Sequence, residues 1–186
     1  MQTRKIGTTD IEASVIALGA WAIGGGTWWG ETDDLLSIRA IHAALDAGIT
    51  MIDTAPAYGF GRSEEVIGKA LKGRRDKVIL ATKCGLWWQD ERGIWFLERD
   101  GKVINRSLRP DTLKEEIEMS LKRLGTDYID LYQTHWQSPE PEKDPIADTM
   151  VYLLKLKEEG KIRAIGASHV TVSQIKEYQA VGVLDA

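Results

Sequence analysis

Short apolar segments alternate with longer amphipathic segments along the chain, and the alternation repeats five times. The apolar segments are too short for helices and are rich in Val, Ile and Leu without strict alternation, which is typical of parallel strands buried on both faces. This order predicts five βα units and a parallel sheet, either an open doubly wound sheet or a closed barrel, which periodicity does not separate. The predicted strands are Val15–Leu18, Thr50–Ile52, Val78–Ala81, Tyr128–Tyr132 and Ile162–Ile165.

The amphipathic segments predict helices whose ends carry recognisable signals. One helix is expected to open at Ser63, which precedes two glutamates that suit the positive end of a helix. Another begins near Pro110 and stops at Gly125, and a third opens with Thr171 and Gln174 at the spacing of a capping box. Of the remaining two helices, one carries an apolar face over 35–45 and stops at Gly48. The other extends from about Asp148 to Gly160.

Composition places the chain among ordinary globular proteins. Its 186 residues are 43% hydrophobic and 28% charged, with a net charge of -4, and they contain no repeats or linkers, so a single domain over 1–186 is expected. Nothing in this charge indicates a nucleic-acid or membrane partner, no apolar segment is long enough to span a bilayer, and a cytoplasmic location is expected. The single cysteine, Cys84, excludes an internal disulfide and a cysteine metal cluster, and no metal is expected. Thr3–Ile6 and Ile11–Ala13 flank Gly7 and predict a small hairpin ahead of the first strand.

Reactive side chains follow the predicted strands, at the end where barrels and open α/β sheets place their chemistry. Taken singly, each has an ordinary structural explanation, such as a helix cap, a loop aromatic, a surface charge or a core histidine. Four of them at one face are harder to explain in that way, so we interpret them as a site. In chain order the residues after the five strands are Ala20 and Trp21, then Asp53 and Tyr58, then Lys83, then His135, and finally Ser168 and His169.

All seven tryptophans also lie in segments that follow predicted strands, and none lies on a predicted helix. Rings that only stabilise packing are expected on helix faces as well, so this placement favours an aromatic cleft for a small molecule, with mutual packing of the loops as the alternative. The segment Leu86–Leu108 is long for a connection between a strand and a helix, and such loops commonly form lids or binding elements.

The chemistry available to Asp53, Lys83 and Tyr58 is proton delivery. A phenol is a weak acid at neutral pH, a nearby ammonium group favours its deprotonated form, and a carboxylate can hold that ammonium group in place. A histidine beside them can orient a substrate oxygen. This set suits protonation of a carbonyl oxygen, and because it supplies no electrons, a hydride donor is implied.

Four segments resemble the successive signatures of the aldo-keto reductases. They are Asp53-Thr54-Ala55-Pro56-Ala57-Tyr58-Gly59, Thr82-Lys83, Asp130-Leu131-Tyr132-Gln133-Thr134-His135-Trp136 and Gly160-Lys161-Ile162-Arg163-Ala164-Ile165-Gly166-Ala167-Ser168. The resemblance covers essentially the whole chain and is greatest to the bacterial general-aldehyde branch of the family. It implies an α/β fold, a (β/α)₈ TIM barrel of which about five units lie in this chain.

The same resemblance implies reduction of a small-molecule aldehyde or ketone with NADP(H). Tyr58 would be the general acid, Lys83 would make it a stronger acid, Asp53 would pair with Lys83, and His135 would orient the carbonyl. Ala20, Trp21, Asp53, Ser168 and His169 would contact the cofactor, although the family commonly has Asn where this chain has His169.

Two alternatives stay open at this stage. A relative that binds the nucleotide without turnover would keep the same fold. The second alternative is an inactive fragment that lacks later strands, because barrels of this class take about 250 residues. The uncovered strand edges of such a fragment would favour self-association.

Overall fold

Five parallel strands form one sheet in which the spatial order follows the chain order. The computed structural model describes residues 1–186, and in its central sheet each parallel strand lies beside the one that precedes it in the chain. A doubly wound sheet reverses direction at a switch point, whereas a barrel adds each new strand beside the last. The sheet is therefore an arc of a (β/α)₈ barrel, as the resemblance implies. Its strands are β3 (Ala17–Gly19), β4 (Met51–Asp53), β5 (Ile79–Cys84), β9 (Ile129–Thr134) and β10 (Ile162–Ala167).

Helices follow these strands and cover the outer face of the arc. The main apolar core lies between them and the strands, and includes Ile52, Leu80, Ile117 and Met150, all essentially inaccessible to solvent. The predicted hairpin ahead of the first strand is present as β1 (Thr3–Lys5) and β2 (Glu12–Ser14). The helices are α1 (Asp34–Asp46), α2 (Arg62–Ala70), α3 (Pro110–Leu124), α4 (Ile146–Glu158) and α5 (Val172–Val181).

The strand boundaries predicted from apolar residues are wrong by up to three residues. The last three parallel strands continue to Cys84, Thr134 and Ala167. In β5 and β9 the added residues include polar side chains that are buried and hydrogen-bonded, Lys83 and Thr134, whereas β10 is extended by Gly166 and Ala167. The first strand instead begins two residues later than predicted, since Val15 and Ile16 are exposed and precede β3.

The predicted start of α2 is also wrong in its physical detail. Gly61, in a left-handed conformation, occupies the cap position, and Ser63 lies inside the helix with its hydroxyl donating to the carbonyl oxygen of Ala20 at 2.8 Å. Glu64 is fully buried, so it does not act as a solvated charge at the helix end. By contrast, Thr171 and Gln174 form the predicted capping box.

The segment Leu86–Leu108, predicted as a long loop, contains a small antiparallel sheet. Its strands are β6 (Leu86–Trp87), β7 (Ile94–Arg99) and β8 (Lys102–Arg106), in the order β6-β8-β7. This sheet leaves the barrel arc directly after β5, so it stands over the carboxyl ends of the parallel strands. No helix of the chain is long and apolar enough to cross a membrane.

Candidate active site

The ammonium group of Lys83 is held by three acceptors from the neighbouring strand β4 and the turn after it. Its Nζ lies 2.9 and 2.8 Å from the two carboxylate oxygens of Asp53 and 2.8 Å from the carbonyl oxygen of Thr54. The same nitrogen lies 3.3 Å from the hydroxyl oxygen of Tyr58. Strand pairing causes this meeting, because Asp53 and Lys83 end two adjacent parallel strands.

The turn that carries Tyr58 is fixed by a close backbone approach. Gly59 has a positive φ of 66°, and a side chain there would place its Cβ 2.2 Å from the carbonyl oxygen of Gly24. Only glycine tolerates both conditions. The glycine that follows the tyrosine therefore holds the backbone of this turn against Gly24.

His135 lies just after β9 and faces the phenol of Tyr58. The two ring centroids are 5.8 Å apart with planes nearly perpendicular, and the backbone nitrogen of His135 donates to the carbonyl oxygen of Cys84. Burial lowers the pKa of His135 to about 3, and the nearby charge of Lys83 acts in the same direction. The imidazole is therefore neutral at pH 7 and has one N–H to donate.

Tyr58 and His135 line a cavity of about 370 Å³ with mostly apolar walls, whereas Asp53 and Lys83 are not part of its lining. This size is within the range of small-molecule pockets. Three of the seven tryptophans, Trp21, Trp28 and Trp136, line it. Trp87 and Trp95 do not, because the first is buried within the small sheet and the second is exposed on its outer side. The other lining aromatic side chains are Tyr58, Phe60, Phe96, His135 and His169.

The sequence-predicted cofactor residues are placed unequally. Trp21 is 42% exposed and stacks on Tyr58 at a centroid distance of 5.9 Å. Ala20 offers no surface to a ligand, because it is fully buried and its backbone N–H and carbonyl are bonded to Asp53 and Ser63.

Ser168 and His169 lie after β10, beside the end of β9. The hydroxyl of Ser168 is 2.9 Å from Nδ1 of His169, and that nitrogen is 3.0 Å from the carbonyl oxygen of His135. The imidazole of His169 also stacks on Trp136 at 3.7 Å. His169 has a positive φ of 50°, a conformation that Asn and His adopt more readily than most residues.

Two glutamines that were not predicted from the sequence support this site. The side-chain amide of Gln133 donates to Asp53 at 3.4 Å, and Gln137 donates to Thr134 and to the carbonyl oxygen of Ser168 while accepting from Tyr178 at 2.7 Å. Gln133 is two residues before His135, so strand alternation was the signal that would have placed it on the same face. Gln137 carried no such signal.

No group of three or more His, Cys, Asp or Glu side chains is arranged to hold a metal ion. Two polar groups at the strand ends, the Ser168 hydroxyl and the side-chain amide of Gln133, are of the kind that can hydrogen-bond a carboxamide.

Sequence comparison agrees with this geometry. Residues 15–185 match the Aldo/keto reductase family. The chain belongs to this family. The aldo-keto reductases are oxidoreductases that use nicotinamide cofactors. The strand order and the site at the carboxyl ends of the strands, with Asp53, Tyr58, Lys83 and His135, thus belong to a member of this family.

Two curated bacterial relatives are similar over essentially the whole chain. The NADH-specific methylglyoxal reductase of Escherichia coli (strain K12) is 48% identical, with 100% of this chain and 57% of that protein covered. Aldo-keto reductase YhdN of Bacillus subtilis (strain 168) is 50% identical, with 99% of this chain and 52% of that protein covered. The chain therefore spans about half the length of the curated relatives it matches.

Solved structures show the same relation. The glycerol dehydrogenase AKR11B4 from Gluconobacter oxydans superposes with a TM-score of 0.85 at 43% identity, covering 98% of this chain and 53% of that one. An aldo-keto reductase from Klebsiella pneumoniae in complex with NADPH superposes with a TM-score of 0.69 at 31% identity, covering 89% and 49%. The five βα units described here thus correspond to about half of these family barrels.

Proposed function

We propose that this aldo-keto reductase chain carries the proton-delivery site of an enzyme that reduces aldehydes or ketones to alcohols with a nicotinamide dinucleotide. The observation that carries the proposal is the position of Lys83, whose ammonium nitrogen contacts both the carboxylate of Asp53 and the hydroxyl of Tyr58, the tyrosine that lines the aromatic cavity. Membership of the family supports the reaction class.

Tyr58 is the proton donor in this proposal. Its hydroxyl donates a proton to the carbonyl oxygen of the substrate as that oxygen gains negative charge, and the phenolate that remains lies beside the positive charge of Lys83. Asp53 holds the ammonium group from the opposite side, so the cation does not have to reorganise during the step. Fixed charges of this kind stabilise a transition state more than mobile solvent does.

His135 is the second group at the substrate oxygen. Because burial keeps its imidazole neutral, it can donate one hydrogen bond without competing with Tyr58 as an acid. Its ring is perpendicular to the phenol, so the donors of the two residues can approach one oxygen from different directions.

The residues around this set fit a bound nicotinamide ring. The exposed face of Trp21 adjoins Tyr58, and Ser168 and Gln133 present a hydroxyl and an amide that can hydrogen-bond a carboxamide. When bound there, the reduced cofactor supplies the hydride for the carbonyl carbon. We propose NADPH as the reduced form, as in the Klebsiella pneumoniae complex, and the NADH-specific Escherichia coli relative makes direct comparison of the two cofactors part of the test.

The test follows carbonyl-dependent oxidation of NADPH and of NADH by their absorbance, with wild-type protein and with Tyr58→Phe. Loss of the proton donor is expected to lower kcat by about 10²-fold or more, while the Kd of the cofactor, measured by fluorescence, stays close to wild type. Tyr152→Phe is the matched control, since Tyr152 is a half-buried tyrosine on α4 whose hydroxyl makes no hydrogen bond. Full activity of Tyr58→Phe would overturn the proposed role, and a higher kcat/KM with NADH would overturn the cofactor assignment.

A further inference from the structure

Three cations of the small sheet lie over aromatic rings of the cavity region. The guanidinium carbon of Arg99 is 3.9 Å from the ring centroid of Trp28, and Nζ of Lys102 is 4.7 Å from that of Phe60. The guanidinium carbon of Arg106 is 4.5 Å from the centroid of Phe96. All three rings line the cavity. Of the three cations, Arg99 lines the cavity itself, whereas Lys102 and Arg106 contact rings that line it.

The backbone of the hairpin explains this placement. Lys102, Ile104 and Arg106 alternate along β8 and therefore point to one face, and Ile104 lines the cavity. Arg99 on β7 pairs directly with Lys102 across the strands. The hairpin thereby places its basic residues against rings that line the cavity.

None of these three cations forms an ion pair, although ion pairs occur on the same segment. Arg92 contacts three carboxylates, those of Asp90, Asp111 and Glu115. Two acidic residues flank Arg99, and one of them, Asp100, lines the cavity as well and accepts a hydrogen bond from Thr27. The hairpin over 94–106 thus carries three cations against two carboxylates, a balance of one positive charge in a chain whose net charge is -4.

Arg99 is the cation best placed to meet a substrate. It lines the cavity directly, and its side chain donates no hydrogen bond to the protein, so its N–H groups are free. Two rings separate it from the proton donor: Trp28 lies 5.7 Å from Trp21, and Trp21 lies 5.9 Å from Tyr58, between centroids. A group bound at Arg99 is consequently remote from the reacting carbonyl.

We infer that Arg99 is a specificity-determining residue that selects carbonyl compounds bearing a carboxylate remote from the carbonyl group, with an apolar or aromatic body between the two. This inference deepens the proposed function, because it names the substrate class of the same cavity. A guanidinium group offers paired N–H donors that match a carboxylate, and the ring of Trp28 beneath it restricts its orientation. The apolar walls receive the body of the substrate.

The experiment measures binding and turnover separately, with two aldehydes of different length and their neutral methyl esters. The aldehydes are 4-carboxybenzaldehyde and 4′-formylbiphenyl-4-carboxylate. Calorimetry gives Kd without turnover, and cofactor oxidation gives kcat/KM. At least one carboxylate is expected to bind more tightly than its ester, and Arg99→Gln is expected to weaken that binding by about tenfold with little change for the ester. Arg99→Lys should restore part of the preference, and added salt should reduce it.

Arg39→Gln is the matched control, since Arg39 is exposed on α1, away from the cavity lining, and should leave every Kd unchanged. Equal affinity of wild-type protein for both carboxylates and their esters would overturn the inference, as would equal losses for acid and ester in Arg99→Gln. A loss confined to NADPH binding in that variant would also overturn it, because the anion held by Arg99 would then belong to the cofactor. Carboxylate preference in binding with no turnover of any carbonyl would sink the proposed function and leave this inference standing.

Discussion

The ammonium nitrogen of Lys83 lies 3.3 Å from the hydroxyl oxygen of Tyr58, and at 2.9 and 2.8 Å from the two carboxylate oxygens of Asp53. The lysine side chain is 8% exposed, whereas that of Asp53 is 33% exposed. The cation is therefore held by protein acceptors, while the carboxylate keeps some contact with water. This asymmetry means that the charge of Lys83 acts on Tyr58 with little screening by solvent.

Lys83→Met tests this electrostatic role. The substitution keeps the length of the side chain and removes its charge, so the phenolate formed after proton transfer loses its cation. We expect kcat to fall by about 10²-fold or more, with cofactor Kd little changed and a larger solvent isotope effect, because proton transfer becomes slower. Asp53→Asn should be milder, since it keeps the charge of Lys83. Activity of Lys83→Met close to wild type would show that Tyr58 does not depend on this cation.

The neutral state of His135 gives a second prediction. Burial, assisted by the charge of Lys83 and by His169, lowers the pKa of His135 to about 3. Its ring nitrogens should therefore keep the chemical shifts of a neutral imidazole from pH 5 to pH 8. Nitrogen-15 NMR of labelled protein checks this, with His135→Gln used to assign the signal. A titration with a midpoint near the ordinary histidine value of about 6.5 would contradict it.

The sequence was most informative where a local rule determines the structure. Asp53, Lys83 and His135 were predicted to meet because parallel strands place their carboxyl ends at one edge, and the structure brings them together. The capping box of Thr171 and the left-handed Gly125 that ends α3 also depend only on neighbouring residues. Local backbone chemistry was sufficient for the two helix ends, and the general rule for parallel strands was sufficient for the site.

Prediction failed where distant residues decide the outcome. Glu64 resembles a solvated charge at a helix start, but its carboxylate is buried because Arg123, which is 59 residues away, reaches it from α3. For β7 the obstacle was a local one, because a bulge between Trp95 and Leu97 breaks the alternation that marks a strand. The burial of Ala20 beneath Ser63, 43 residues away, could likewise not be inferred from its position after a strand, and its contact with a cofactor stays a prediction.

The pairing of Glu64 with Arg123 gives a third prediction. Glu64 is 0% exposed, and its carboxylate accepts hydrogen bonds from Nε of Arg123 at 2.7 Å and from the hydroxyl of Thr82 at 2.7 Å. Arg123→Met leaves this carboxylate buried without its cation, so the free energy of unfolding should fall by about 3–5 kcal/mol. Urea denaturation followed by circular dichroism measures the change.

The double variant Glu64→Gln/Arg123→Met is the control for that prediction. Removing both charges takes away the uncompensated carboxylate, so the double variant should recover much of the lost stability. If the double variant is no more stable than Arg123→Met, the loss comes from packing of the arginine side chain rather than from the charge.

Glu116 lies near this pair and supports the start of the small sheet. One carboxylate oxygen accepts from the backbone nitrogen of Gly85 at 2.8 Å, and the other is buried without a partner. Burial raises the pKa of Glu116 to about 8; the Gly85 N–H opposes this rise, and the charge of Glu64 adds to it. The side chain is therefore largely protonated at neutral pH in the folded protein.

This raised pKa makes stability depend on pH with a definite sign. A glutamate in the unfolded chain loses its proton near pH 4.5, while Glu116 in the folded protein keeps its proton up to about pH 8. Its contribution to the free energy of unfolding is therefore greatest below pH 4.5 and is lost as the pH rises toward 8. The slope is at most about 1.4 kcal/mol per pH unit. The lowered pKa of His135 makes stability change with pH in the opposite direction, but only below 6.5, the pKa of an unfolded histidine. We therefore expect the free energy of unfolding to fall less between pH 6.5 and 8 in Glu116→Gln than in wild type. Glu118→Gln, on the exposed side of the same helix, should keep the wild-type slope, and an unchanged slope in Glu116→Gln would show that Glu116 is ionised in the folded protein.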